Sequence, residues 1–262
     1  MTLVTFGCSW TFGVGLHYEG GMTEIDYRKS GKMTDKEVSR EYAWRSILAE
    51  RWGMENKNFA VMGSSNERQF RMATKYFGDL SKQKCQNTTV IWALTVTPRT
   101  EVWYNSKQDY VNVLFGNGWG KDAMKERAQF NVKEHITHHY NHEQKVILLS
   151  QQIRFWDKFF ALAGIKNYWL DTFNHHNYDY KSPNMLFDDK PQRDLLSLRC
   201  ADRGYAPKAD GYHVSQFADS DSSRVPYLVK QGDLNPYSYH PTKSCHAWFA
   251  DKIYDEIANI RV

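Results

Sequence analysis

Two short segments at opposite ends of the chain carry residue types that together can perform acyl transfer. Near the start, the β-prone run Thr2-Leu3-Val4-Thr5-Phe6 stops at Gly7-Cys8-Ser9. Near the end, His240-Pro241 stands just ahead of a helical pattern. A serine hydroxyl is a weak nucleophile unless a base lies within hydrogen-bond reach. A histidine followed by proline at a helix start is held rigidly, because proline is preorganised for the first helical turn. Ser9 is therefore the candidate nucleophile and His240 the candidate base. The alternatives are a turn serine that caps the following helix and a structural histidine packed against Tyr239. Cys8, directly after the strand, reads as a small buried hydrophobe rather than a rival nucleophile.

These residues need elements to position them. Strands are expected at Leu3–Phe6, Asn58–Val61, Thr88–Leu94 and Lys166–Leu170. Helical spacing covers Tyr42–Trp52, Glu67–Phe77, about 125–163 with a break near His138–His142, Gln192–Arg199, and Lys243–Asn259. Strands alternating with helices imply βαβ units and a mainly parallel sheet. The expected fold class is α/β, a three-layer α/β/α sandwich around about five strands, in one domain spanning 1–262. Polar, irregular stretches at about 17–40, 103–122 and 172–235 read as insertions. In such a sheet the strand ends share one edge, where ligands bind. Gly7 and Ser9, Gly63 and Asn66, and Thr95, Thr97 and Arg99 all fall there.

The blocks taken together resemble the SGNH hydrolases, also called GDSL-like esterases and lipases. That family's first block is a strand followed by Gly-Asp-Ser, here Gly7-Cys8-Ser9. Its second is an Asn-containing strand followed by Gly, here Asn58 to Gly63 and on to Asn66. Its last is His-Pro and a helix, here His240-Pro241 to Ala250. The resemblance covers roughly 1–100 and 236–258. It implies a flavodoxin-like fold, Ser9 as nucleophile, His240 as base, and an oxyanion hole using the backbone N–H groups of Ser9 and Gly63. The third-block Asn is matched by Thr97, with Asn66 or Arg99 as spatial substitutes. The acid three residues before the histidine is replaced by Tyr237. Asp233 is then the nearest upstream carboxylate and the candidate orienter, and a backbone carbonyl is the alternative. The implied substrate is an O-acyl ester of a carbohydrate or small molecule, with no cofactor and no metal. An acyltransferase would use the same site. A degenerate relative would bind a glycan, nucleotide or protein partner in the old cleft.

Composition narrows the classes further. The net charge of +4 is spread over 262 residues without a dense basic tract, so nucleic-acid binding is not expected. The absence of a long apolar run and of a signal-like N-terminus gives the expectation of a cytoplasmic protein without a membrane span. The wide spacing of Cys8, Cys85, Cys200 and Cys245 suggests reduced thiols. The abundance of Trp, Tyr and Asn is similar to phage-encoded members of the family. His135, His138, His139 and His142 have helical spacing, which reads as a solvated face rather than a zinc site, and His175-His176 is read the same way. His246 reads as structural, Arg99 and Glu101 as an ion pair with substrate contact as the alternative, and Trp103, Tyr104, Tyr110, Phe115 and Trp119 as packing with a substrate wall as the alternative. Oligomeric state is left open.

Overall fold

The computed structural model describes residues 1–30, 36–104, 109–113, 140–173, 177–189, 194–205 and 224–260. Its centre is a parallel sheet in the order β2-β1-β3-β6, formed by β1 (Thr2–Phe6), β2 (Glu55–Asn58), β3 (Thr88–Leu94) and β6 (Lys166–Asp171). A separate antiparallel hairpin pairs β4 (Thr100–Tyr104) with β5 (Asp109–Val113). The main sheet therefore has four strands where about five were expected, and residues expected to be loop after 104 partly form the hairpin.

Helices cover both faces. In chain order they are α1 (Ser9–Phe12), α2 (Glu24–Lys29), α3 (Lys36–Tyr42), α4 (Trp44–Arg51), α5 (Asn66–Gly78), α6 (Lys82–Gln86), α7 (His142–Ala163), α8 (Leu195–Asp202), α9 (Arg224–Lys230) and α10 (Lys243–Ile260). Side chains alternate across a strand, and the two cores follow that alternation. Leu3, Ile91, Ala93 and Leu170 face one core with Leu48 of α4 and Phe249 and Ile253 of α10. Val4, Phe6, Val90, Trp92 and Trp169 face the other with Phe70 of α5 and Ile153 and Phe160 of α7. The result is the expected three-layer α/β/α sandwich.

Much of the aromatic content is explained by this second core. Phe6, Trp92 and Trp169 are register partners on three adjacent strands. Their rings stack at 4.4 Å and 4.8 Å between centroids. Such cross-strand pairs stabilise a sheet beyond their buried area.

Local signals fix several boundaries. Ser65 caps α5 by accepting the Arg68 N–H at 3.2 Å, and Asn141 caps α7 by accepting from Gln144 at 2.9 Å. The 17–40 insertion holds α2, capped by Thr23, which accepts the Asp26 N–H at 3.2 Å. The second strand lies at Glu55–Asn58, earlier than the apolar stretch that drew the expectation. As an edge strand it exposes alternate polar residues, so its apolar signal is weak. Trp103 and Tyr110 pack edge-on at 5.2 Å across the hairpin, and Arg71 sits 4.5 Å over Tyr110. His135, His138, His139, His175, His176, Phe115 and Trp119 lie outside the described residues.

Gly7 carries a specific packing demand. A Cβ there would fall 2.2 Å from Thr11 Oγ1 and 2.6 Å from Thr11 Cβ, and Thr11 is itself fully buried. Overpacking of this kind typically costs about 1–3 kcal/mol. Gly7→Ala is expected to lower the urea midpoint accordingly, and an unchanged midpoint would refute the contact.

Candidate active site

Ser9 leaves the carboxyl end of β1 as the first residue of α1 and is 4% exposed. A first-turn N–H has no intrahelical acceptor, so the Ser9 amide is placed to donate elsewhere. The Ser9 carbonyl accepts the N–H groups of Gly13 and Val14, both at 3.0 Å. Gly13 closes the turn at φ 96°. Cys8 is fully buried in the core with Leu3 and Trp10, so its thiol points into the fold.

Arg45 fixes this turn from below. It is buried, and it donates from Nε to the Thr11 carbonyl at 3.0 Å and from Nη2 to the Phe12 carbonyl at 3.3 Å and Ser39 Oγ at 2.6 Å. Helix carbonyl ends carry partial negative charge, which suits a cation there. Burial, with a smaller contribution from Arg40, lowers its pKa to about 10, so it remains charged at neutral pH.

The His240 loop is built around Asn235. The Asn235 N–H donates to the His240 carbonyl at 2.8 Å, and the Asn235 carbonyl accepts the Tyr239 N–H at 2.8 Å. Asn235 Oδ1 accepts the Tyr237 N–H at 2.8 Å. The first insertion braces the same loop: Tyr27 and Ser238 share a hydroxyl contact of 2.8 Å, and the Tyr237 hydroxyl donates to the Met22 carbonyl at 2.7 Å. Tyr237, three residues before His240, thus ties down the loop.

Gly15 brings the two halves together. It adopts φ 86°, and a Cβ there would stand 3.1 Å from His240 Cβ and 3.4 Å from Ser238 Oγ. The turn that starts at Ser9 therefore rests against the loop that carries His240. The residue as a whole is half-buried, but Nδ1 is sealed from water without a full hydrogen bond. Burial lowers the pKa of His240 to about 4, against an opposing pull from the Ser238 carbonyl and with help from the charge of Arg99. The ring is neutral at pH 7 and able to accept a proton. His246 is fully buried and structural. Its Nδ1 accepts the Trp44 N–H at 3.2 Å, and burial, then Arg45 and His240, lower its pKa to about 3.

The supporting positions fare differently. Gly63 occupies a left-handed turn at φ 72°, where glycine is favoured. Asn66 is clamped to the end of β3: its Oδ1 accepts the Thr95 N–H at 2.9 Å and its Nδ2 donates to the Thr95 carbonyl at 2.8 Å. Because β1 lies between β2 and β3, this clamp reaches across the sheet edge from which Ser9 emerges. The Thr97 hydroxyl meets the Tyr140 hydroxyl at 3.0 Å and His142 Nδ1 at 3.1 Å. Arg99 donates to Thr95 Oγ1 at 2.8 Å and sits 5.5 Å over the Phe173 ring. Glu101 pairs with Arg71 through two contacts of 2.8 Å, which corrects the expected Arg99–Glu101 pair.

Asp233 is the main correction. It is fully buried, and its carboxylate is taken by Arg199 at 2.5 Å and by Arg203 at 2.8 Å. Burial opposes its ionisation, but the bonds and charges of Arg203 and Arg199 outweigh that and hold its pKa below the ordinary value. Its role is structural, joining α8 to the loop before His240. Near the ring, the Ser238 carbonyl is the group that favours protonated His240.

Sequence reasoning missed Arg45, Gly15 and Tyr27. The second glycine of Gly13-Val14-Gly15 was the available signal for a close approach. Among the described residues no group of three or more His, Cys, Asp or Glu is placed to hold a metal ion. No described helix is long and apolar enough to cross a membrane. No protein-family model matches the chain, and no curated protein matches it.

Proposed function

We propose that this protein is a serine esterase of the SGNH type, acting on the O-acyl group of a carbohydrate or small molecule. The observation that carries the reading is the contact at Gly15, where the Ser9 turn and the His240 loop meet at one sheet edge. Ser9 Oγ attacks the acyl carbonyl while the neutral imidazole of His240 takes its proton. The charge on the carbonyl oxygen falls to the N–H groups of Ser9 and Gly63. The imidazolium then protonates the departing alcohol oxygen. Water, deprotonated by the same ring, releases the carboxylic acid and restores Ser9. An acceptor alcohol in place of that water gives acyl transfer.

Capture by a fluorophosphonate tests the reading. The expected result is one covalent adduct, mapped to Ser9 by peptide mass spectrometry. Because the ring stays neutral well below its ordinary pKa of ~6.5, kcat/KM for an activated ester should hold its plateau below pH 6.5, down toward about pH 4. A second reading, a non-catalytic cleft that binds a ligand, draws on the commitment of Asp233 to two arginines. Absence of any adduct and any turnover would favour it.

A further inference from the structure

A helix that only covers a sheet needs one apolar stripe and a polar outer face. The long helix α7 departs from that pattern. Val146, Leu149, Ile153, Trp156 and Phe160 form its buried face. Leu148, Phe155 and Leu162 stand on another side and are 48%, 58% and 88% exposed. Each follows the last by seven residues, over which an α-helix drifts by only ~20°. The three side chains therefore make one nearly straight apolar ridge ~20 Å long. The exposed charges beside it have one sign. From Gln144 to Lys166 they are Arg154, Lys158 and Lys166. Lys145 is taken by Glu67 at 2.5 Å. Asp157, the one acid of this stretch, is buried and accepts from Asn167 and Trp169. The nearest exposed acids along the chain, among the described residues, are Glu143 and Asp179. Lys158 lies three residues after Phe155 and four before Leu162, so it borders both on the helix surface. Arg154 leans 5.9 Å over the Tyr180 ring and stays exposed.

Shape and charge choose the occupant of this face. A projecting ridge needs a groove cut to it in a partner protein, whereas a bilayer interface deforms around it. A second copy of the chain would bring Arg154 and Lys158 toward like charges, whereas anionic headgroups complement them. We infer that the outer face of α7 docks on an anionic phospholipid bilayer. Leu148, Phe155 and Leu162 enter the boundary between headgroups and acyl chains, and Arg154 and Lys158 lie among the phosphates. Such a contact runs along the membrane surface and requires no spanning helix. It is independent of the esterase reading, because it uses neither Ser9 nor His240.

The test is co-sedimentation of the unmodified protein with two kinds of vesicle, phosphatidylcholine alone and phosphatidylcholine mixed with phosphatidylglycerol. Binding is expected to the mixed vesicles only, and it should weaken as salt rises, because salt screens surface charge. One basic side chain near an anionic surface is worth about fivefold in affinity, so Lys158→Gln should weaken binding by about that factor. Phe155→Ser combined with Leu162→Ser should weaken it about tenfold or more. Both side chains are exposed, so the melting temperature of that variant should stay at the parent value. Sedimentation with neither vesicle, or equally with both, overturns the inference. Binding that survives the double substitution also overturns it, because charge alone would then account for the contact. Dimers in sedimentation velocity that the double substitution abolishes, in a protein that ignores vesicles, would give the face to a second copy instead.

Discussion

Ser9→Ala is expected to lower kcat/KM for short-chain activated esters by ~10³-fold or more, with the melting temperature within about 2 °C of the parent. The separation of effects follows from which atoms of Ser9 hold the turn. Its carbonyl, not its hydroxyl, accepts the Gly13 and Val14 amides, and alanine keeps that carbonyl. The substitution removes the proposed nucleophile and leaves the helix. His240→Gln should give a loss of similar size, and the double variant should be little worse than either single one, because a nucleophile and its base act as a unit. Activity of Ser9→Ala near the parent level, measured on protein purified from an esterase-free background, would place the chemistry elsewhere.

Asp233→Asn is expected to lower folding free energy by about 3–5 kcal/mol, the range for breaking a buried ion pair on one side. The Arg199 side chain is 6% exposed and would lose the fully buried one of its two carboxylate partners, keeping only the partly exposed Asp202 at 3.2 Å. Arg199 also lies 4.7 Å over the Trp248 ring, so its position affects the packing of α10. Arg203 is 37% exposed, and Arg203→Gln should cost less, ~1 kcal/mol or below. At a temperature where Asp233→Asn is folded, kcat should match the parent. A stable Asp233→Asn protein with strongly reduced kcat would restore Asp233 as the orienter of His240.

The pH dependence of stability separates these groups. His240 and His246 have folded pKa values of about 4 and about 3, against ~6.5 in the unfolded chain. Below pH ~6.5 the unfolded state binds the extra protons, so stability falls as pH drops toward those folded values. Asp233 is also depressed when folded. Its contribution is present above the unfolded value of ~3.9 and is lost as pH falls through the folded one. Asp233→Asn should therefore remove its share of the loss below pH ~4 and leave the slope above it intact.

The legible parts of the fold were those with a strong period. The run Thr88–Leu94 is buried at every position and forms β3, and the helical spacing after Lys243 forms α10. The edge strand Glu55–Asn58 was misplaced because half of its residues face water. The second hairpin strand, Asp109–Val113, lies in the stretch of about 105–122 that reads as loop on its Asn, Gly and aromatic content, whereas Arg71, Glu101 and Tyr110 supply the anchoring contacts of the hairpin. At the site, Ser9 and His240 stood out because a Gly-bounded serine and a His-Pro pair are local patterns. Asp233 was chosen for its closeness in sequence to His240, which says nothing of which cation its carboxylate meets.

The sequence by itself determined the alternation of strands and helices, the three-layer arrangement, and the placing of Ser9, Gly63, Asn66 and Thr97 after strands that share one edge. Those features depend on neighbours a few residues apart, through hydrophobic period and turn chemistry. Only the tertiary structure decided which polar groups meet. Arg199 and Arg203 reach Asp233 across 34 and 30 residues, Arg45 reaches the turn after Ser9 across 34, and Asn66 reaches Thr95 across 29. The apolar pattern specifies which face of an element is buried. It does not specify the partner of a buried charge or amide, because that partner is set by how whole elements pack.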